Sequence, residues 1–290
     1  FSDLNGVPAS GNHWLMQQVL RDEWQYQGFV VSDWGSIRDL TVHGLSEDDK
    51  HSALLAVNAG IDMEMVSDCY AKHLPELLSE NKLDEHKVEQ MVRRILQLKY
   101  ALGLFENAQT NSEEFVALAN HEHLLVAKDA ATKSCVLLKN ADNILPLDSS
   151  QFSSIAVIGP LADDKYEQLG TWIFDGDEQH SITCLSAIKA LAGTDTKITF
   201  EKGLDTTRSQ SEEHFSKAIS AAQDSDIAIM VMGEESILSG EAHSRTNIDL
   251  PGAQVQLIEQ VVATGTPVIL VIMAGRPLTI ANVNDKVSAL

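Results

Sequence analysis

Positive charge is scarce in this chain. Its 290 residues carry 21 Lys and Arg against 42 Asp and Glu, a formal net charge of −21 at pH 7. Nucleic-acid binding needs clustered basic side chains to neutralise phosphates, and no such cluster occurs. The same deficit speaks against an anionic membrane surface. It suits a neutral substrate, although a solvated acidic surface explains it as well. Cysteine is also rare. Cys69, Cys135 and Cys184 are odd in number and widely spaced, with no CxxC and no Cys/His ligand spacing. Neither a disulfide framework nor a zinc site follows from that, and no metal or other cofactor is expected. No apolar run approaches the roughly 20 residues of a membrane span, so no membrane insertion is expected. The first residue is Phe1, and the chain reads as a piece of a longer protein. A signal peptide would then lie outside it.

What is present is a globular composition. Hydrophobic residues make up 44% and charged residues 22%, enough apolar material for a sizeable core. Length allows one large domain or two ordinary ones. Apolar residues in "GNHWLMQQVLRDEWQYQ" fall at helical spacing. "GFVVS" reads as a short buried strand. "DKHSALLAVNAG" reads as a helix ending at Gly60, and "IDMEM" as a second strand. "LPELLSENK", "EHKVEQMVRRILQLKYALGLF" and "EEFVALANHEHLLVAKDAATKS" read as further helices. Helices alternating with short strands imply parallel strands covered by helices. A non-periodic stretch near residues 140–153 reads as a linker. It divides residues 1–139 from a second α/β domain at 154–290, with a mostly parallel sheet. That sheet is built from "SIAVIGP", "KITFEKG", "DIAIMVMG" and "PVILVIMAG". Helices in "EEHFSKAISAAQDS" and "PGAQVQLIEQVVATG" separate the later three.

Functional groups in such folds collect at the carboxyl ends of parallel strands. Asp33, Asp62 and Glu234 all follow predicted strands. An acid there is more often a helix cap than a catalyst. Asp33 stands apart because Trp34 follows it, and an aromatic plate beside an acid suits a sugar ring. A core Trp packed under the loop is the plainer alternative. The second constellation is "GEESILSGEAHSRTNIDLPG", residues 233–252. It holds Glu234, Glu235, Glu241, His243 and Arg245, in a loop longer than a connection requires. It lacks the Gly-rich cradle and Lys of a phosphate site. Two carboxylates, one beside a Trp, suggest acid/base work on a glycosidic bond.

The sequence resembles glycoside hydrolase family 3 of the β-glucosidase type, over its whole length. "NGVPASGNHWLMQQVLRDEWQYQGFVVSDWGS" is similar to the family's signature around its nucleophile. "AVNAGIDMEM" resembles the last barrel strand, and "LLKNADNILPL" the junction into the second domain. "IAVIGPLADDKYEQLGTW" resembles that domain's first strand and loop. "SGEAHSRTNIDLPG" resembles the loop that brings the acid/base, and "PVILVIMAGRPL" the next strand.

The resemblance implies the C-terminal part of a (β/α)₈-like barrel followed by an α/β sandwich domain, truncated at its end. It implies Asp33 as nucleophile and Glu241 as acid/base, with Trp34, Arg245, His243 and Trp172 about the sugar. Asp62 is expected to be structural. The reaction implied is double displacement with retention, which needs carboxyl groups roughly 5–5.5 Å apart. The substrate implied is a small carbohydrate, a β-glucoside or oligosaccharide. A β-xylosidase of the same family is the nearest alternative. A non-catalytic carbohydrate-binding fragment is the alternative from another class, because the family's earlier sugar-holding acid, Arg and Lys-His motifs are not in this chain. Family habit leans to a periplasmic or secreted protein.

Overall fold

The computed structural model describes residues 2–115 and 118–290. The chain forms two compact units, Phe1–Val116 and Ala117–Leu290. Segment 140–153 lies within the second.

The first unit opens with a small antiparallel pair, β1 (Asp3–Leu4) and β2 (Val7–Pro8). A wide-turned helix of π type follows at Trp14–Glu23. Then come β3 (Val31–Trp34), α1 (Asp49–Ala59), β4 (Met63–Met65), α2 (Cys69–Ser79) and α3 (Glu85–Ala101). β3 and β4 run parallel, with Val31 beside Met63 and Trp34 beside Met65. Ile37, Leu40, Ala53, Val57, Ile61 and Leu77 form the centre of its core.

Local chemistry sets the boundaries. Asp48 accepts the His51 amide at the start of α1, and Gly60 ends it at φ 106°, a conformation glycine adopts freely. The helix expected from Leu74 begins at Cys69. Glu64, on β4, accepts the Cys69 and Tyr70 amides, both at 2.8 Å. Pro75, the second residue of the expected helix, lies inside α2. The strand expected at residues 28–32 is displaced to Val31–Trp34. Side chains take up part of the backbone before it: the Gly28 carbonyl accepts from Arg21, and the Val30 amide donates to Asp62, while the Val30 carbonyl accepts the Asp62 and Met63 amides.

The second unit starts with α4 (His121–Ser134), shorter than the expected helix from 113; residues 116–117 of that expectation lie outside the described residues. Next come β5 (Ser154–Ile158), α5 (Cys184–Ala192) and β6 (Lys197–Glu201). Then follow α6 (Phe215–Gln223), β7 (Ile227–Gly233), α7 (Gln254–Val262), β8 (Val268–Met273) and α8 (Ala281–Asn284). The sheet order is β6-β5-β7-β8, all parallel. Strand residues alternate between faces. Ala156, Ile158, Met230 and Met232 pack with α6 and α7 on one face. Ile155, Val157, Ile229 and Val231 pack with Leu185 of α5 on the other. Burial on both faces explains the continuous apolar runs. α5 was not expected, although Thr183 caps it by accepting the Ser186 amide.

Candidate active site

In the first unit, Asp33 lies within β3, one residue before its end, rather than beyond it. Its backbone is held from two sides. The buried Ser32 hydroxyl donates to the Asp33 carbonyl at 2.9 Å and accepts the Met65 amide at 2.9 Å. The Gly35 amide donates to the Met65 carbonyl at 2.8 Å, and the Ser36 amide to the Asp33 carbonyl at 3.2 Å. The Asp33 carboxylate itself is exposed. It accepts the amide of Trp34 and makes no ion pair among the described residues. Trp34 is 65% exposed, so it is not a core residue of this unit.

Asp62 contrasts with it. Its side chain is fully buried, between Arg21 Nη2 and Arg94 Nη1, both at 2.7 Å. The Val30 amide adds a third bond at 2.8 Å. Asp62 thereby ties the π-type helix, the entry to β3 and α3 together.

In the second unit, β7 ends at Gly233, with φ 136°. A Cβ there would lie 1.8 Å from the Met273 carbonyl oxygen, so only glycine fits. The long loop then begins with two acids, and both are occupied. The Glu234 side chain is fully buried and paired with Arg245 and with Arg276 Nε, the latter at 3.2 Å. Glu235 accepts from Thr207 Oγ1 at 2.7 Å and Arg208 Nε at 2.9 Å. Burial works to raise the Glu235 carboxyl, but these donors outweigh it and leave it below its ordinary value. Glu241 is exposed and has no hydrogen bond or ion pair among the described residues. Gly240 and Ala242 on either side of it have φ 111° and 61°, so the chain turns sharply at Glu241.

The remaining candidates separate. Arg245 points to Glu234, with its side chain 18% exposed. His243 is exposed, and its carbonyl accepts from Arg276 at 3.0 Å. Trp172 is exposed and meets Phe174 edge-on, with ring centroids 5.6 Å apart. Its neighbour Thr171 borders the Glu241 loop, 3.4 Å from where a Gly240 Cβ would lie.

Sequence reasoning missed Arg276, Gln254 and Thr207. Gln254 is fully buried and closes the base of the loop. It accepts the Gly233 amide and donates to the Gly233, Thr207 and Pro251 carbonyls at 2.8–3.0 Å. A Gln in the first turn of a predicted helix carries no sequence signal for that role. Among the described residues no group of three or more His, Cys, Asp or Glu is arranged to hold a metal. No helix there is long and apolar enough to cross a membrane.

With this geometry in view, known proteins decide the family. The glycosyl hydrolase family 3 C-terminal domain matches residues 135–290, and the family's N-terminal domain matches residues 1–98. The chain belongs to glycoside hydrolase family 3. Its first unit is the C-terminal part of the family's (β/α)₈-like barrel, and its second belongs to the α/β sandwich domain. A periplasmic beta-glucosidase of Salmonella typhimurium is 35% identical, over 100% of this chain and 41% of that protein. A beta-xylosidase of Formosa agariphila is 36% identical, over 99% of this chain and 42% of that protein. The structure of a beta-glucosidase from Listeria innocua in complex with isofagomine matches with TM-score 0.91 and 33% identity, over 99% of this chain and 39% of that one. The chain thus spans about two fifths of the length of these relatives.

Proposed function

We propose that the chain supplies the two catalytic carboxylates of a retaining exo-β-glycosidase. Its substrates are β-glucosides and short oligosaccharides, from which it removes a terminal β-D-glucosyl residue. Asp33 attacks the anomeric carbon and forms a glycosyl ester. Glu241 protonates the departing oxygen, then takes a proton from the water that cleaves the ester. What supports the assignment is a pattern of exposure. Asp33 and Glu241 are exposed and unpaired, whereas their rivals Asp62 and Glu234 are buried against arginines. A carboxylate held by two guanidiniums is a poor nucleophile and a poor proton donor, because its lone pairs are engaged and its charge is stabilised. Trp34 and Trp172 offer aromatic surface for sugar rings, and His243 a polar edge. A fluorinated glucoside that traps the ester labels Asp33 in the complete protein. Labelling of Asp62 overturns the assignment.

A β-xylosidase is the second reading, favoured by the Formosa relative at 36% identity. Rates on matched aryl glucosides and aryl xylosides separate the two. The Salmonella relative supports a periplasmic location, which cell fractionation tests.

A further inference from the structure

Glu241 follows a 3₁₀ turn at Ser236–Leu238 in a largely irregular loop, yet a general acid works only when it is held at the leaving oxygen. Three of the bonds that anchor the loop converge on one side chain. Arg276, just after β8, donates from Nη2 to the carbonyls of Leu238 and His243. Those residues stand three before and two after Glu241. Its Nε donates to buried Glu234, which also binds Arg245 from the far end of the loop. Gly275 lets the loop come close: a Cβ there would meet Ser239 Oγ at 2.3 Å and Ser239 Cβ at 2.7 Å. Ser239 is itself buried. Ala242 has φ 61°, a left-handed backbone that a non-glycine residue rarely adopts and that persists only when its surroundings impose it.

We infer that Arg276 is a positioning residue for the acid/base, fixing the backbone on both sides of Glu241 while Glu234 fixes Arg276. The inference rests on the assignment of Glu241 above. Glu234 therefore has a reason to be buried and charged: it orients the guanidinium without competing for the sugar. Arg276 acts through the loop and does not touch the substrate.

The test uses the complete protein, with a β-linked glucose disaccharide and a dinitrophenyl β-glucoside. Arg276→Ala is expected to lower kcat/KM on the disaccharide by about 100-fold, the scale of loss from misplacing a catalytic group by about 1 Å. The dinitrophenyl substrate, whose leaving group departs without a proton, is expected to form the covalent intermediate at close to the normal rate. Azide is expected to restore part of its turnover. Arg276→Lys, which reaches fewer of the three acceptors, is expected to fall between. Equal losses on both substrates, with no azide response, overturn the inference. Glu241→Ala is run alongside. If it responds to azide and Arg276→Ala does not, only the positioning role falls. If Glu241→Ala is insensitive to leaving group and azide, the acid/base assignment falls and takes this inference with it. A second measurement needs no activity. Amide exchange in residues 236–245 is expected to accelerate in Arg276→Lys while β5 and β7 stay protected. Unchanged exchange there overturns the inference as well.

Discussion

Asp33 and Glu241 are presented by different means. Asp33 rides on a β-strand, and its position follows from main-chain bonds to β4 and from the Ser32 hydroxyl. Glu241 is carried by a loop, held by side chains: Arg276 and Gln254 from other elements, and the loop's own Glu234 and Arg245. Each unit nevertheless repeats one device. A fully buried carboxylate gripped by two arginines braces the structure near an exposed, unpaired one. Burial separates the bracing acid from the one proposed to act on the substrate. A paired buried charge is rigid and chemically quiet, whereas an exposed one is free to meet a substrate.

The largest effect expected from this division falls on the strand-borne acid. Asp33→Ala in the complete protein should cut turnover by on the order of 10⁴-fold or more, since no covalent intermediate forms. Its melting temperature should stay near that of the unaltered protein, because the carboxylate braces nothing. A melting temperature that collapses would mean Asp33 belongs with the bracing acids. Asp62→Ala is the converse. It strands Arg21, whose side chain is 5% exposed, without its counter-charge. Removing one partner of a buried pair costs about 3–5 kcal/mol. A urea midpoint unchanged by Asp62→Ala would break the comparison on the structural side.

The loop-borne acid is expected to show a smaller and more selective loss. Glu241→Ala should slow disaccharide hydrolysis by about 10³-fold, within the range for general acid–base catalysis. With a dinitrophenyl leaving group a covalent intermediate should accumulate, and azide should release it, because a small anion needs no base. Glu234→Ala and Glu235→Ala are the controls. Azide rescue of either, and not of Glu241→Ala, would move the acid/base to the start of the loop.

How much of this was legible in the sequence depends on distance along the chain. β5 to β8 were legible because each is an apolar run with turn residues at its ends. Asp33 could be proposed from the sequence because the stretch that resembles the family's signature is contiguous, from "NGVPAS" to "SDWGS". Glu241 was legible as one acid among several in a loop too long to be a mere connection. The resemblance singled out Glu241, but the pairing that occupies the other acids was not legible, because it rests on partners that are remote in sequence. Arg276 lies 42 residues from Glu234, and Arg94 lies 32 residues from Asp62. The start of α2 was hidden for a similar reason: its cap is Glu64, a strand residue reaching forward, while Pro75 mimics a first turn. The entry to β3 was misread because side chains take the Gly28 carbonyl and the Val30 amide, leaving only the Val30 carbonyl to bond to the start of β4.

The smallest expected effect isolates burial from pairing. Glu80, at the end of α2, also holds two cations. Lys50 Nζ lies at 2.8 Å and Lys82 Nζ at 3.0 Å, so in partner count it matches Asp62. It differs in being exposed. Hydrogen bonds from Lys50 and then Lys82 lower its carboxyl from 4.5 to about 2. A carboxyl whose folded value is depressed adds stability above its unfolded value. That stability disappears as pH falls from 4.5 toward 2. The wild-type protein should therefore be slightly more stable than Glu80→Gln at pH 6, and the two should converge on acidification. Because solvent screens this cluster and Lys50 keeps Glu76 at 2.7 Å, the gap at pH 6 should be far smaller than that opened by Asp62→Ala. Urea midpoints measured for the two proteins across pH 2.5–6 decide it. A constant gap would show that the Glu80 charge adds nothing. A gap rivalling that of Asp62→Ala would show that pairing, and not burial, makes a bracing acid.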